Sequence, residues 1–214
     1  MALFLDSAKV EEARQAVELG FVSGVTTNPA LVAEAGRPGL TILRELLSIC
    51  AGPVFYQVTA ETAAGRGEQA REAARLAPGR VVVKIGATTE NIALAGRLAA
   101  EGVLICITAV SHPAQAYLAT LAGARYAVPY VNRLTRQLGD GIAVVRGCAE
   151  LVKGTPTRLL AASLKTTDEV VAALHAGADD VTLPLKVLLS LGDHELSHKA
   201  IDDFAAAARS SGPG

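Results

Sequence analysis

The chain has 214 residues, half of them hydrophobic and 19% charged, with a formal net charge of -1. The interspersed charges exclude an electrostatic footprint for nucleic acid or an anionic membrane, and the 4% aromatic content with no Trp excludes stacking platforms for single strands. Cys50, Cys106 and Cys148 lie far apart without zinc-type spacing, the N-terminus lacks a secretory pattern and no apolar run reaches a membrane span, so the expectation is a cytoplasmic protein with apolar material for one core.

Ala2–Asp6 reads as a short apolar strand ending in an acid, and Lys9–Leu19 carries Val10, Ala13, Ala16 and Val17 at helical spacing before Gly20. Val22–Thr27 is predicted as the second strand. Asn28-Pro29 then opens a helix, Asn as its cap and Pro in its first turn. Gly36 to Gly39 break that helix before a further one over Leu40–Cys50. Val54–Val58 is the third strand, followed by a helix through Leu76 that Pro78-Gly79 ends. The run Val81-Val82-Val83-Lys84-Ile85-Gly86 is the fourth, apolar enough to be buried on both faces.

Thr88 or Thr89 caps the next helix, which Gly102 terminates. Val103–Thr108 is the fifth strand and Ser111–Leu121 a helix with Pro113 in its first turn. Tyr126–Val131 reads as strand six, although Pro129 is awkward inside a central strand. Ile142–Lys153 is helical, Thr157–Ala162 strand seven, Thr167–Ala176 helical and Asp180–Leu183 strand eight. Helices over Leu185–Leu191 and from Asp193 to about Ala208 precede a Ser-Ser-Gly-Pro-Gly end expected to fray. Eight strands each followed by helix give an α/β chain with the pattern of a single-domain (β/α)8 TIM barrel, with an extra C-terminal helix. The rival, an open doubly wound sheet, would carry a Gly-rich first turn, which this sequence lacks.

A barrel keeps its active site at the C-terminal ends of its strands. Those positions here are Asp6, Thr26 with Thr27 and Asn28, Gln57, Lys84, Thr108, Tyr130 and Ser163. Two residues earlier stand Phe4, Phe55, Val82, Cys106, Val128 and Ala161, expected to share the inward face and fill the barrel beneath the polar ring. Each buried polar group costs stability unless paired, so a ring of them points to function. An ammonium inside an apolar strand must be paired, reach a cavity, or give up its proton. Desolvation that frees the amine would make Lys84 a Schiff-base nucleophile. Imine chemistry needs proton carriers beside it: Gln57, Thr108 and Tyr130 can jointly hold a water for that task, while Asp6 and Asn28 can orient the lysine and bind substrate hydroxyls.

LD at 5–6, GVTTNP at 24–29, VVKI at 82–85, PYVNR at 129–133, AAS-x-K at 161–165 and TLP at 182–184 resemble the small transaldolases and fructose-6-phosphate aldolases. The resemblance spans essentially the whole chain. It implies a class I aldol mechanism with Lys84 as the Schiff-base lysine, no cofactor, a sugar-phosphate substrate, and dihydroxyacetone-binding roles for Asp6 and Asn28 with Thr26 beside them. Transaldolases of this family usually carry Glu at the position of Gln57 and Phe at that of Tyr130, so both residues here are aldolase-like. Phosphate recognition would fall to Arg133, Ser163 and Lys165, Arg offering a bidentate fork. Gly86 departs from the family, which commonly has Pro there, and it loosens the backbone just past the nucleophile.

His194-Glu195-Leu196-Ser197-His198 matches the short zinc-protease pattern. Zinc needs a third protein ligand and neither Glu nor His follows His198, so no metal site is expected; Asp193 reads as a helix cap instead. His112 and His175 read as incidental. Leu196, Ala200, Phe204 and Ala207 form a stripe on the terminal helix. That stripe either packs on its own barrel or, as the resemblance implies, reaches a neighbouring subunit in a ring-shaped homo-oligomer such as a decamer.

Overall fold

The structure is a computed structural model that describes residues 1–210; the expected frayed end beyond Ser210 lies outside the described residues. Eight parallel strands close on themselves in chain order: β1 (Ala2–Asp6), β2 (Gly24–Thr26), β3 (Val54–Gln57), β4 (Val81–Gly86), β5 (Leu104–Val110), β6 (Tyr126–Pro129), β7 (Arg158–Ala161) and β8 (Asp180–Leu183). Parallel neighbours need crossovers. These are supplied by α1 (Val10–Glu18), the pair α2 (Pro29–Glu34) and α3 (Gly39–Ile49), α4 (Ala63–Leu76), α5 (Thr89–Ala100), α6 (Pro113–Leu121), the pair α7 (Val131–Leu138) and α8 (Gly141–Val152), and α9 (Thr167–His175). After β8 come α10 (Leu185–Ser190) and α11 (Glu195–Ser210). The (β/α)8 barrel expected from the strand count is therefore the fold, with the extra C-terminal helix in place.

Alternation splits the apolar residues into two layers. Val81, Val83, Ile85, Ile105, Ile107 and their like face the helices, whereas Phe4, Phe55, Val82, Cys106, Tyr126, Val128, Leu160 and Ala162 fill the barrel interior. Phe4 meets Phe55 edge-on at 5.4 Å between ring centroids, and Phe55 meets Tyr126 at 5.0 Å. Each such ring contributes about 1.5–3 kcal/mol by burial and plugs the interior beneath the polar ring. Phe4 fits because β2 has Gly24 beside it: a Cβ there would stand 2.3 Å from Pro53 O and 2.9 Å from the Phe4 ring.

The expectation for β7 needs correction. Ala161 belongs to the outer layer; Leu160 and Ala162 face inward. Counting back by two from Ser163 fails because Ser163 has φ 59°, so the alternation ends before it. Strand six is also shorter than expected. It stops at Pro129, and Tyr130 occupies the N-cap position of α7, a helix the sequence reading lacked. Opposite Pro129, which has no N–H to donate, β5 shifts register between Thr108 and Val110, and the intervening Ala109 has φ 59°.

At the base of the barrel Asp180, fully buried, receives Arg158 Nε at 2.6 Å on Oδ2 and the Ala2 N–H at 2.6 Å on Oδ1. One carboxylate thereby ties β7, β8 and β1 together where the cylinder closes.

Candidate active site

Each site residue is set by the element that ends beneath it. Parallel register places Gln57 beside Lys84 and Asp6 beside Thr26, so strand pairing sets four of the expected residues in two adjacent pairs. Lys84 is 5% exposed, and its Nζ donates to Thr27 O at 2.7 Å. That carbonyl is available because Thr27 lies past the end of β2, where its hydroxyl is turned away to Phe55 O at 2.8 Å. Asp6 and Asn28, expected to orient the lysine, line the same cavity, while the hydrogen-bond partner of Nζ among the described residues is the Thr27 backbone carbonyl. Beneath Lys84, burial pushes the Cys106 thiol up to about 12, the lysine charge pulling the other way.

A cavity of about 450 Å³ opens above this level and is lined by eight of the ten expected residues: Asp6, Asn28, Gln57, Lys84, Tyr130, Arg133, Ser163 and Lys165. The other two, Thr26 and Thr108, stand one hydrogen bond behind it. Thr26 Oγ1 donates to Asp6 Oδ1 at 2.8 Å, and Thr108 Oγ1 lies 2.7 Å from the Tyr130 hydroxyl. Gln57 Oε1 is buried with no hydrogen-bond partner among the described residues, an acceptor that asks for a donor from within the cavity. Gln57, Tyr130 and the Lys84 amine therefore face one space, with Thr108 fixing the phenol.

Asn28 caps α2 by accepting the Leu31 N–H on Oδ1 at 3.0 Å, which leaves its amide hydrogens to the cavity. At the opposite wall Arg133, on the first turn of α7, lies with its guanidinium carbon 4.7 Å from the Tyr130 ring centroid, and this stacking steers it over the cavity. Ser163 holds φ 59° while its carbonyl accepts the Asn132 N–H at 3.0 Å. Glu169 ties the Lys165 backbone N–H, at 2.6 Å, to the Asn132 side chain, at 2.8 Å. The result is a polar wall of Arg133, Ser163 and Lys165 across from Asp6 and Asn28. Arg133 and Lys165 have no acidic partner among the described residues, so their charge is open to an anion.

Among the lining residues that escaped the sequence reading are Thr182, Glu34 and Ala109. Thr182 is 2% exposed, lines the cavity, and shares a 2.6 Å hydrogen bond with Thr26. The same period of two that marked the other strands would have found it, two residues beyond Asp180 and inside the quoted TLP. Ala109 lines the rim through the bulge, for which an alanine gives no sequence signal.

The zinc-like helix pattern resolves into local bonds. His194 Nδ1 accepts the Leu196 N–H at 3.2 Å, so His194 rather than Asp193 caps α11, and Asp193 instead lies 3.3 Å from His198 Nε2. Among the described residues no group of three or more His, Cys, Asp or Glu is arranged to hold a metal ion. His112 is not incidental: it caps α6 in a capping box with Gln115. No helix among the described residues is long and apolar enough to cross a membrane.

Comparison with known proteins identifies the family. The profile of the Transaldolase/Fructose-6-phosphate aldolase family matches residues 3–211. Proteins named "Probable transaldolase" from Symbiobacterium thermophilum and Heliobacterium modesticaldum are each 39% identical over 206 residues, covering 95% of either chain. "Probable transaldolase 1" of Listeria monocytogenes is 38% identical over 208 residues, covering 96% of this chain and 97% of its own. Among solved structures, an inosine 5' monophosphate dehydrogenase from Legionella pneumophila superposes with a TM-score of 0.60 at 17% identity, over 87% of this chain and 58% of its own, a likeness of barrel fold alone. With the profile spanning nearly its whole length and relatives well above a third identical, this chain is an enzyme that belongs to the transaldolase/fructose-6-phosphate aldolase family.

Proposed function

We propose that this chain is a class I aldolase in which Lys84 forms a Schiff base with a ketose phosphate, cleaving fructose 6-phosphate or a related ketose to dihydroxyacetone and an aldose phosphate. The observation that carries the reading is the placement of the Lys84 amine: nearly buried, held by a single carbonyl, at the floor of a polar cavity. A neutral amine there attacks the ketone carbon and water leaves from the carbinolamine. The bond between C3 and C4 then breaks toward the iminium, which accepts the electron pair as an enamine, while the C4 hydroxyl gives up its proton to a water held by Gln57, Thr108 and Tyr130. Protonation of the enamine and hydrolysis release dihydroxyacetone and restore the amine. Asp6 and Asn28 bind the hydroxyls of the three-carbon unit, and Arg133, Ser163 and Lys165 receive the phosphate. A cytoplasmic homo-oligomer using α11 completes the reading.

The relatives' names favour a second reading, transfer of the dihydroxyacetone unit to another sugar phosphate. Incubation with fructose 6-phosphate, with and without erythrose 4-phosphate, separates the two. Free dihydroxyacetone without acceptor supports the aldolase; product only with acceptor supports the transferase. Borohydride reduction during turnover followed by peptide mass spectrometry is expected to place the adduct on Lys84, and Lys84→Met to abolish it with at least about a thousandfold loss of activity. An adduct on another lysine, or none with either substrate, overturns the proposal.

A further inference from the structure

Three side chains from three strands form a chain across the barrel mouth: Thr182 on β8, Thr26 on β2 and Asp6 on β1, with links of 2.6 Å and 2.8 Å. Hydrogen counting fixes its direction. An ionised carboxylate only accepts, and a threonine hydroxyl has one hydrogen to give. Thr26 spends its hydrogen on Asp6 Oδ1, so the bond between the two threonines must be donated by Thr182. Thr26 and Thr182 are 1% and 2% exposed, so solvent does not supply a replacement donor. Asp6 Oδ2 has no hydrogen-bond partner among the described residues, while Asp6 lines the cavity that Lys84 also lines.

We propose that Thr182 is a positioning residue, which through Thr26 holds the Asp6 carboxylate with one oxygen engaged and the other free to accept a substrate hydroxyl. The inference rests on reading this cavity as the Schiff-base aldolase site. Donation by Thr182 polarises the Thr26 hydroxyl and strengthens its bond to the carboxylate. Removing the Thr182 hydroxyl leaves Thr26 with a buried, unmatched lone pair and frees it to rotate, so Asp6 loses both its fixed orientation and part of the support for its charge. The titratable and charged groups around Asp6 are Glu12 on α1, which accepts from Ser7, Glu34 on α2, paired with Lys9, and Lys84 on β4. Tyr130 and Arg133 at the start of α7 and Lys165 after β7 complete the set. None of these contacts Thr182 or Thr26 by a hydrogen bond among the described residues, so the hydrogen-bonded route from Thr182 to the reaction runs through Asp6; Thr182 also lines the cavity, and a direct effect on substrate would lower the rate without moving the acid limb.

The test is a pH–rate profile for cleavage of fructose 6-phosphate by the wild type, Thr182→Val and Thr182→Ser, alongside borohydride trapping. Trapping in the wild type comes first: with no adduct there, the aldolase reading falls and takes this inference with it. With the adduct present, Thr182→Val is expected to keep the Lys84 adduct within about twofold, lower kcat about tenfold, and move the acid limb of the profile to higher pH; Thr182→Ser is expected to restore both. Should Thr182→Val fail to fold, Thr182→Ala is measured in its place. A Val or Ala variant with wild-type kcat overturns the proposal. So does a profile scaled down with its acid limb unmoved, or a Ser variant as impaired as Val.

Discussion

At the scale of single residues, the site is decided by which hydrogen bonds are already taken. Lys84 gives one hydrogen to a backbone carbonyl rather than to a carboxylate, which fixes where its amine points in the cavity. Tyr130 and Thr108 share one bond, and either oxygen is able to donate, so the phenol can pass a proton in either direction. Tyr130→Phe deletes that bond while preserving the ring beneath Arg133. Release of free dihydroxyacetone is expected to fall about a hundredfold, within the range for loss of a general acid–base group. Transfer to erythrose 4-phosphate should fall less, because an acceptor aldehyde consumes the enamine without protonation. Equal losses in both assays would argue against a proton role for the phenol.

Cys106 gives a prediction from burial alone. Its thiol is pushed up to about 12 in the folded chain, above the usual thiol range, so the unfolded chain ionises first as pH rises. The stability it contributes is whole below the unfolded thiol's ordinary pKa of ~8.5 and is lost as pH climbs from there toward the folded value. By pH 10 this amounts to roughly 1–2 kcal/mol. Cys106→Ala is destabilised at neutral pH by the cavity it leaves, yet its melting temperature should fall less between pH 7.5 and 10 than the wild type's. Parallel losses in the two proteins would rule out the thiol as the source.

Among the elements, legibility followed the period of two and failed where the backbone leaves it. Lys84, Gln57 and Asp6 were readable because β4, β3 and β1 run straight to their ends in register. Ala161 was misassigned because Ser163 turns into the left-handed region, which no serine announces. Helix α7 was missed because VNRLTRQL offers only Val131 and Leu134 to the core and follows Tyr130 with no capping side chain. Nor does a sequence show pairing: Arg158 and Asp180 lie 22 residues apart and meet only because β7 and β8 close the barrel. The two ends of that pair are unequal. Asp180 has a fully buried side chain, whereas the Arg158 side chain keeps 31% exposure. Arg158→Met strands a buried carboxylate and is expected to cost up to about 5 kcal/mol, whereas Asp180→Ala strands a partly solvated guanidinium and should cost nearer 3 kcal/mol. Urea denaturation at neutral pH measures both. The reverse order would mean that the Ala2 N–H, which Asp180 also accepts, matters more than the charge.

For the molecule as a whole, the barrel buries most of its apolar residues, leaving Phe21, Leu121 and Leu138 among those exposed, whereas no residue of α11 with a described side chain is buried. Every residue of α11 with a described side chain is exposed except Ala200, which is half-buried, and Leu196, Ile201 and Phe204 are 70%, 61% and 73% exposed. Packing of this stripe on its own barrel, one of the two readings of the sequence, is therefore not what the fold does. Covering a side chain of this size is worth about 1.5–3 kcal/mol, so three on one helix supply a strong drive toward a partner that offers an apolar face. A second copy of the chain presents the same stripe, and a symmetric pairing or a ring satisfies all copies at once. Sedimentation velocity at micromolar concentration is expected to show a homo-oligomer for the wild type. Leu196→Asp combined with Phe204→Asp should shift it to smaller species while the far-ultraviolet circular dichroism of the barrel persists, because neither side chain contributes to the core. A wild type that sediments as a monomer, or a double variant that still assembles, would place the interface elsewhere and leave the exposed stripe of α11 to a different occupant.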